Sequence, residues 1–532
     1  MRLCITAPRP ASRHGGLLVA LTMTALASGA LAQTLPDNID ITTSPNGVVL
    51  LPPSVDPVFT NIFDRYTKIT APNGQAIHLL LEDQVTDEMA VRAREVMRFY
   101  LTDVPGSQYG ADKTALTNRM GNVEAALVYF NTEISANIAM NGPLGNANIF
   151  AQDLYATESV VEGSWPYILN TVRDATLEEV FHLVHGAGIL GTLPAFHQEI
   201  IAATNAAISA GIYFPPPGLP PWDNPFEYII SVIDVYYGFW AHDPDNDGTS
   251  FGGEYVFHTR ATVEAGDPQG VTAMRKFLPE YFTPSLTSAA TFPWTFQLEF
   301  DSSLEYTHKS QYILDIRLSG TNDSGINGNE LDNVLGGNAG DNAIAGMGGT
   351  DTVVFQGARA EYVISGAMIT DTIPGRDGID TLATVEFLQF SDQTIPFGGG
   401  SAVNFCTSSP NSTGGAAVIS HGGSLDVSAN DLSLHATPVP PGQPGIFFYG
   451  STQNQVSFGN GTLCVAQPIV RLGVSFASGL GDLDYDLDNQ LPPVSGDLLP
   501  GSVWNFQAWF RDPLAGGATF DLSDGLRITF AP

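Results

Sequence analysis

The chain has 532 residues, which is enough for about three domains of ordinary size. It carries 55 acidic and 21 basic residues, so its net charge at pH 7 is -34. A surface this acidic repels nucleic acid and anionic lipid, and nucleic acid is excluded as a partner. It suits a compartment rich in calcium, because carboxylate oxygens bind that ion.

Residues 1–32 have the pattern of a secretory signal peptide. A basic start precedes an apolar stretch of small residues, and residues 30–32 form a cleavage site of the A-x-A kind. The apolar stretch is too short for a good membrane span, and the rest of the sequence predicts none. We therefore expect an exported protein, either extracellular or at the cell surface. Cys406 and Cys464 remain after cleavage, and an even pair in an exported protein predicts a disulfide.

The next part of the chain changes from a linker to a helical domain. Residues 33–55 are polar and rich in Pro and Asn, and we interpret them as a linker. Residues 56–315 are predicted to form an α-rich metal-binding domain, because apolar residues recur there at helical spacing. The predicted helices cover residues 87–100, 175–184, 194–210 and 225–240.

Residues 316–400 are the next predicted domain, and a nine-residue repeat covers residues 320 to about 355 within it. Its apolar positions are Ile326, Leu335, Ile344 and Val353. Aspartates recur with the same period or in the adjacent position, and the candidate calcium ligands are Asp323, Asp332, Asp341 and Asp351. With glycines at the turns, the segment resembles the RTX (haemolysin-type) repeats. That resemblance implies a parallel β-roll that binds calcium in its turns, followed by a strand-rich flank.

Residues 401–532 are all-β in pattern. Short runs of alternating apolar and polar residues, such as those around Leu526 and Ile528, are separated by Pro, Gly and Asn turns. We expect an antiparallel β-sandwich, closed by the disulfide, whose aromatic residues belong to its core.

A second calcium candidate lies in the helical domain. Residues 243–254 match the EF-hand loop pattern D-x-[DN]-x-[DN]-G-x5-E. The glycine in the sixth position permits the sharp turn that an oxygen cage needs, and the alternative is an acidic surface turn. The candidate ligands are Asp243, Asp245, Asp247, Thr249 and Glu254.

The most informative motif lies in and just after the predicted helix at 175–184. Glu178 and His182 are four residues apart, and His185 is seven residues from Glu178, so all three share one helix face. Glu179 lies beside them. This is the layout of the zinc-peptidase helix H-E-x-x-H, with Glu178 in the place of the first histidine.

Together with the helix at 225–240, the motif resembles the gluzincin metallopeptidases, including the lethal-factor-like group. Those enzymes hold zinc with three protein ligands and use a carboxylate to activate water. The resemblance implies the metal ligands Glu178, His182 and Glu227, the water-activating base Glu179, and an oxyanion donor at Tyr237 or its neighbour Tyr236.

Alternatives to this site remain open. In one alternative, His185 replaces Glu178 as a metal ligand, and Glu178 or Glu179 is the base. Glu254 can replace Glu227 as the third ligand. Glu179 and His182 also form an E-x-x-H pair of the kind found in di-iron bundles. The simplest interpretation is a helix with an acidic start, favourable in itself, and two histidines bonded to neighbours. The tyrosines can equally be core residues.

The sequence as a whole predicts a multidomain α+β protein, with an α-rich N-terminal domain, an RTX-like parallel β-roll and a C-terminal antiparallel β-sandwich. The favoured function is an exported calcium-binding protein with a zinc-dependent, metallopeptidase-like hydrolase domain. Its cofactors would be calcium and zinc, and its substrate a protein or peptide. The competing function is a non-enzymatic, calcium-stabilised surface or matrix protein. The sequence does not set an oligomeric state.

Overall fold

The fold is known from a computed structural model, which divides the chain into two compact units. The first comprises the described residues up to Gly349 together with Met368–Thr381, and the second comprises Thr350–Ala367 and the described residues from Leu382. The predicted signal peptide, residues 1–32, lies outside the described residues. Those residues are 34–243, 246–397, 400–425, 427–494, 496–499 and 502–531.

The first unit contains a five-stranded mixed sheet in the order β1-β2-β3-β4-β5. Neighbouring strands from β1 to β3 are antiparallel, and those from β3 to β5 are parallel. β3 and β4 are buried along their whole length, which is typical of strands covered on both faces. The strands are β1 Val49–Leu50, β2 Arg65–Thr70, β3 Ala76–Leu81, β4 Ala125–Phe130 and β5 Phe150–Tyr155.

Helices surround this sheet, and the predicted mixed α+β class is confirmed. All four predicted helices are present, as α2, α6, α8 and α9. Within the described part of the chain, no helix has both the length and the apolar character needed to cross a membrane. The helices are α1 Pro57–Thr60, α2 Asp87–Leu101, α3 Thr114–Asn122, α4 Glu133–Met140, α5 Trp165–Leu169, α6 Thr176–Leu183, α7 Leu190–Thr192, α8 Pro194–Ala210, α9 Asn224–Tyr236, α10 Arg260–Gly266, α11 Pro268–Arg275 and α12 Thr307–Ser310.

Two features of this region were not predicted. The sheet was missed, because residues 56–315 were interpreted as mainly helical. Apolar side chains of the segment interpreted as a linker are also buried: Leu35, Ile39 and Leu51 pack in the same core as Phe59 of α1.

The first unit also contains a parallel coil, the strands β6 to β11. Successive strands alternate between two parallel stacks, β6-β8-β10 and β7-β9-β11. Ile326 of β9 therefore lies beside Ile344 of β11, two nine-residue repeats later. The strands are β6 Leu286–Thr287, β7 Thr295–Gln297, β8 Asp315–Arg317, β9 Gly325–Asn329, β10 Val334–Gly336 and β11 Ala343–Met347.

A ladder of apolar side chains fills the parallel coil. Each is at most 1 % exposed, so each step of the repeat places one side chain inside. The ladder begins before the predicted start at residue 316. Its members are Leu286, Phe296, Ile316, Ile326, Leu335 and Ile344.

The strands that follow the parallel coil are short. β14 pairs with β15 in antiparallel fashion, and β12 pairs with β16 in parallel fashion. β16 then pairs with β17 in antiparallel fashion. The strands are β12 Thr352–Val354, β13 Tyr362–Ser365, β14 Met368–Asp371, β15 Ile379–Ala383, β16 Phe387–Gln389 and β17 Thr394–Pro396.

The rest of the second unit contains three antiparallel sheets, in the orders β18-β27-β26-β21-β24, β19-β20-β25 and β22-β23. Leu434 of β20 and Phe447 of β21 belong to one core, so the two larger sheets share it. The predicted disulfide joins Cys406 to Cys464. The strands are β18 Ser401–Phe405, β19 Val418–Gly422, β20 Ser433–Thr437, β21 Pro444–Gly450, β22 Gln453–Phe458, β23 Gly461–Val465, β24 Val470–Phe476, β25 Leu483–Asp486, β26 Val503–Arg511 and β27 Phe520–Thr529.

The apolar ladder is predicted to carry the stability of the parallel coil. Ile344→Ala should lower the free energy of unfolding by about 2–5 kcal/mol, because it leaves a cavity in a closely packed interior. Ile379→Ala is the matched control, since the Ile379 side chain is 42 % exposed. Its effect should stay within about 0.5 kcal/mol. Urea denaturation measures both, and equal losses in the two variants would contradict the ladder's role.

Candidate metal centre

Helix α6 begins at a buried network of ion pairs. Arg92 of α2 contacts two acids: its Nε lies 2.9 Å from Glu162 Oε2 and its Nη2 lies 2.7 Å from Asp174 Oδ2. The other oxygen of Asp174 accepts hydrogen bonds from the N–H groups of Thr176 and Val160. The arginine therefore holds the aspartate that binds the first turn of α6, and α6 carries the candidate site.

Three side chains of α6 converge as the sequence predicted. Glu178, Glu179 and His182 each offer one ligand atom, and these atoms lie within 4.8 Å of one another. His182 Nδ1 is 3.5 Å from Glu179 Oε2. On the other side of the ring, His182 Nε2 is 3.9 Å from Glu227 Oε1 on α9. The structure thus brings together the four residues of the favoured ligand and base set.

Two side chains outside the motif bind its glutamates. Arg173, in the loop before α6, forms an ion pair with Glu178, and its Nη2 lies 3.7 Å from Asp234 Oδ2. Gln152 of β5 donates a hydrogen bond of 2.7 Å to Glu179 Oε2. Neither was predicted from the sequence, because neither lies in a periodic pattern with the helix motif. An arginine five residues before a buried glutamate was the only available signal.

The electrostatics of the cluster are dominated by carboxylates. Burial by itself lowers the pKa of His182, but the nearby Glu227 and Glu179 outweigh it and raise the pKa to about 10. Burial raises the pKa of Glu179 to about 7, although its hydrogen bond with His182 acts in the opposite direction. Burial, followed by the charge of Glu179, raises the pKa of Glu158 to about 8. A set of buried acids that favours the protonated imidazole in this way also favours a bound cation.

His185 lies away from this cluster. Its Nε2 is 3.0 Å from His197 Nδ1, and its ring stacks on Phe226 with centroids 4.1 Å apart. The helix widens into a π-helix, Val184–Ile189, one residue before His185. The α-helical spacing used to align His185 with Glu178 therefore does not hold beyond that point. This arrangement does not support the alternative in which His185 is a ligand.

The two candidate oxyanion donors are occupied by other contacts. The hydroxyl of Tyr237 donates a hydrogen bond of 2.6 Å to the carbonyl of Pro279, and its side chain is fully buried. The hydroxyl of Tyr236 accepts hydrogen bonds from Arg260 and Arg275. These contacts fit the interpretation of both tyrosines as core residues.

Side chains of the EF-hand-like loop form hydrogen bonds within the loop itself. Asp243 accepts hydrogen bonds from the N–H groups of Asp247 and Gly248, and Asp247 accepts one of 2.6 Å from the Thr249 hydroxyl. Asp245 lies outside the described residues. Glu254 follows a short 3-10 turn, Phe251–Gly253.

Three of the repeat aspartates, Asp323, Asp332 and Asp341, lie at turns next to strands of the parallel coil. Asp323 accepts a hydrogen bond from the N–H of Asp341, and Asp341 accepts one from the N–H of Ile379. Asp332 lies between β9 and β10, and Asp351, in the second unit, is fully buried.

One further acid at these turns, Asp380 of β15, was not predicted from the sequence. It accepts a hydrogen bond from the N–H of Asn342, and burial raises its pKa to about 8.

Comparison with known proteins adds little. No protein-family model matches the chain, and no curated protein matches it. One solved structure with a match is a tetra-tandem repeat in the extending region of a large adhesion protein, at 17% sequence identity and a TM-score of 0.14. The match covers 30% of this chain and 37% of that one, so this chain spans little more than a third of its length. A TM-score this low supports no argument about fold or function.

The raised pKa of Glu158 predicts a pH dependence of stability. The folded chain holds a proton on Glu158 that the unfolded chain releases at pH about 4.5, so the free energy of unfolding should fall as the pH rises from about 4.5 to about 8. One retained proton contributes at most about 1.4 kcal/mol per pH unit. Glu158→Gln should flatten the curve, measured by urea denaturation across this window. Glu133→Gln, on the exposed side of α4, is the control. An unchanged slope in Glu158→Gln would contradict the assignment.

Proposed function

We propose that the first unit is a zinc-dependent, metallopeptidase-like hydrolase. The observation that carries this proposal is the convergence of Glu178, Glu179 and His182, with Glu227 facing the second nitrogen of the imidazole. Imidazole nitrogen and carboxylate oxygen are ligands that zinc accepts, and a catalytic site needs three of them with one position left open.

The chemistry of the donors fits such an ion. His182 Nε2 is buried and makes no hydrogen bond with the described residues, so a metal ion that displaced its proton would gain a ligand nitrogen inside the cluster. Glu178, His182 and Glu227 would hold the zinc. When bound, zinc lowers the pKa of a water molecule and polarises a carbonyl group. Glu179 would accept the proton of the attacking water, and the Gln152 amide holds its carboxylate in place.

The sheet beside the cluster supports a peptide as the substrate. β5 is the last strand of the five-stranded sheet as described, and its Gln152 contacts the proposed base. The outer edge of a strand offers backbone groups to an extended peptide, which can pair with it as an added strand. A peptide bound there would pass close to Glu179.

The same proposal assigns calcium to the parallel coil. The support is its topology, in which strands two repeats apart are neighbours, and the N–H of Asp341 donates a hydrogen bond to Asp323, two repeats earlier. Calcium takes six to eight oxygen ligands from carboxylates and backbone carbonyls, and such turns offer both. The coil would then reach full stability outside the cell, where calcium is abundant, in keeping with the proposed export of the protein.

One observation favours the competing function, a non-enzymatic, calcium-stabilised surface or matrix protein. The ion pair between Arg173 and Glu178 neutralises the carboxylate that stands in the place of the first histidine. A guanidinium provides the positive charge that a metal would otherwise supply, so the cluster can be structural. The two functions differ in the metal content of the purified protein.

Elemental analysis of the purified protein separates these functions. We expect about one zinc per chain, lost in both Glu178→Ala and His182→Ala.

The role of Glu179 is tested separately. Glu179→Gln should keep the zinc and lower the rate of peptide hydrolysis by about 100-fold or more, because it removes the base. Glu133→Gln is the control and should change neither quantity. Calcium without any transition metal would favour the non-enzymatic function, and full activity in Glu179→Gln would exclude that residue as the base.

Calcium should stabilise the folded chain. At a calcium concentration about 100 times its Kd, one site adds about 2.7 kcal/mol to the free energy of unfolding, so the Tm should rise and return when a chelator is added. Asp341→Ala should reduce this rise, and Glu133→Gln should leave it intact. Scanning calorimetry with and without calcium is the measurement. An unchanged Tm on addition of calcium would rule out the proposed calcium sites of the parallel coil.

A further inference from the structure

A separate group of polar side chains lies on the second unit, on the outer face of the three-stranded sheet β19-β20-β25. Ser433 and His435 are two residues apart on β20, so they point to the same face. Asp484 of β25 lies directly opposite His435 in the strand register, and it shares that face. The neighbouring residue Leu434 points the other way, into the core.

These three side chains form a continuous chain of hydrogen bonds. Ser433 Oγ is 2.9 Å from His435 Nε2, and His435 Nδ1 is 2.8 Å from Asp484 Oδ1. An ionised carboxylate can only accept hydrogen bonds, so the neutral imidazole must carry its proton on Nδ1. Its Nε2 is then the acceptor, and the serine hydroxyl donates to it. This is the order of atoms through which a histidine activates a serine nucleophile.

The strand next to the serine places a glycine beside its hydroxyl. Gly422 of β19 lies opposite Ser433 in the register. A Cβ atom at Gly422 would lie 2.7 Å from Ser433 Oγ and 3.0 Å from His435 Nε2. The first distance is shorter than ordinary contact, so any larger residue would push against the nucleophile and its base. The side chains of His435 and Asp484 are 39% and 56% exposed, and a substrate can reach them from solvent.

We propose that Ser433, His435 and Asp484 form a serine-hydrolase triad that cleaves carboxylic esters. Ser433 Oγ bonds to the acyl carbon as its proton passes to His435 Nε2. The bond to the leaving oxygen then breaks, and the proton goes from Nε2 to the departing alcohol. In the second half of the reaction, the oxygen of a water molecule bonds to the acyl carbon as its proton passes to His435 Nε2. The bond between that carbon and Ser433 Oγ then breaks, the proton passes from Nε2 to Oγ, and the carboxylic acid leaves.

The surroundings of the triad define its substrate class. The face is open to solvent, where charge on a developing oxyanion is stabilised less than in an enclosed site. Esters with good leaving groups are therefore substrates, and amides are not. Asp486 lies opposite Ser433 on β25, so the face carries further negative charge beside that of Asp484. Neutral and cationic esters are favoured over anionic ones, which these charges repel.

Covalent labelling of the full-length protein tests the triad. The protein is incubated with a neutral alkyl fluorophosphonate, which transfers its phosphonyl group to an activated serine with loss of fluoride. Peptide mapping by mass spectrometry should place the probe on Ser433. His435→Ala should slow labelling by about 100-fold or more, because it removes the base. Gly422→Val should also slow it, by crowding the nucleophile.

Ser457→Ala, at an exposed serine on β22, is the matched control and should label as the parent does. Hydrolysis of a p-nitrophenyl ester should be lost in Ser433→Ala, whose surface position leaves the fold intact. Both readouts should persist after a chelator removes metals, so failure of the triad and failure of the zinc site are distinguishable. Absence of the probe from Ser433, or labelling at the parental rate in His435→Ala, would overturn the proposal.

Discussion

The buried ion pairs of Arg92 organise the first unit. The side chains of Arg92, Glu162 and Asp174 are at most 9% exposed, so these charges are held away from solvent and depend on one another. Removing a single partner from such a group commonly costs about 3–5 kcal/mol, because an uncompensated charge stays buried. Asp174 also binds the first turn of α6. The position of the candidate metal centre therefore depends on an arginine that takes no part in it.

The candidate centre carries more buried carboxylates than cations, and this imbalance explains its unusual protonation. His182 remains protonated well above its normal pKa because Glu227 and Glu179 lie on opposite sides of its ring. Arg173 compensates Glu178, and a metal ion would compensate the whole cluster. Either an arginine or a metal ion can neutralise buried carboxylates. A metal ion can in addition keep one coordination position open for a reacting molecule.

The sequence predicted features that follow from local periodicity. Helix α2 has apolar residues at helical spacing behind the cap of Thr86, and it was found within one residue of its predicted end. The regular step from Ile326 to Ile344 indicated the parallel coil, whereas the irregular spacing of Leu286 and Phe296 concealed its start. β3 and β4 were missed because short, mostly apolar runs have no period that separates strand from helix.

Sequence spacing predicts the part of the site that lies on one helix, α6. The three converging residues of α6 follow from their spacing, and Glu227 was assigned through the resemblance to a metallopeptidase helix pair. Arg173 and Gln152 reach the site through the fold. The triad on the outer face of β19-β20-β25 depends on pairing between strands, since Asp484 is far from His435 in sequence. No local pattern encodes such a pairing.

The parallel coil has a consequence for how this protein can change in length. Its strands alternate between two stacks, and each contacts mainly the strand two repeats away, so its stability is close to a sum over neighbouring coils. Insertion of two repeats adds one full coil and keeps every later strand in its own stack. Insertion of one repeat transfers every later strand to the opposite stack. Evolution can therefore lengthen this region in double steps at little structural cost, whereas single steps require the rest of the chain to be repositioned.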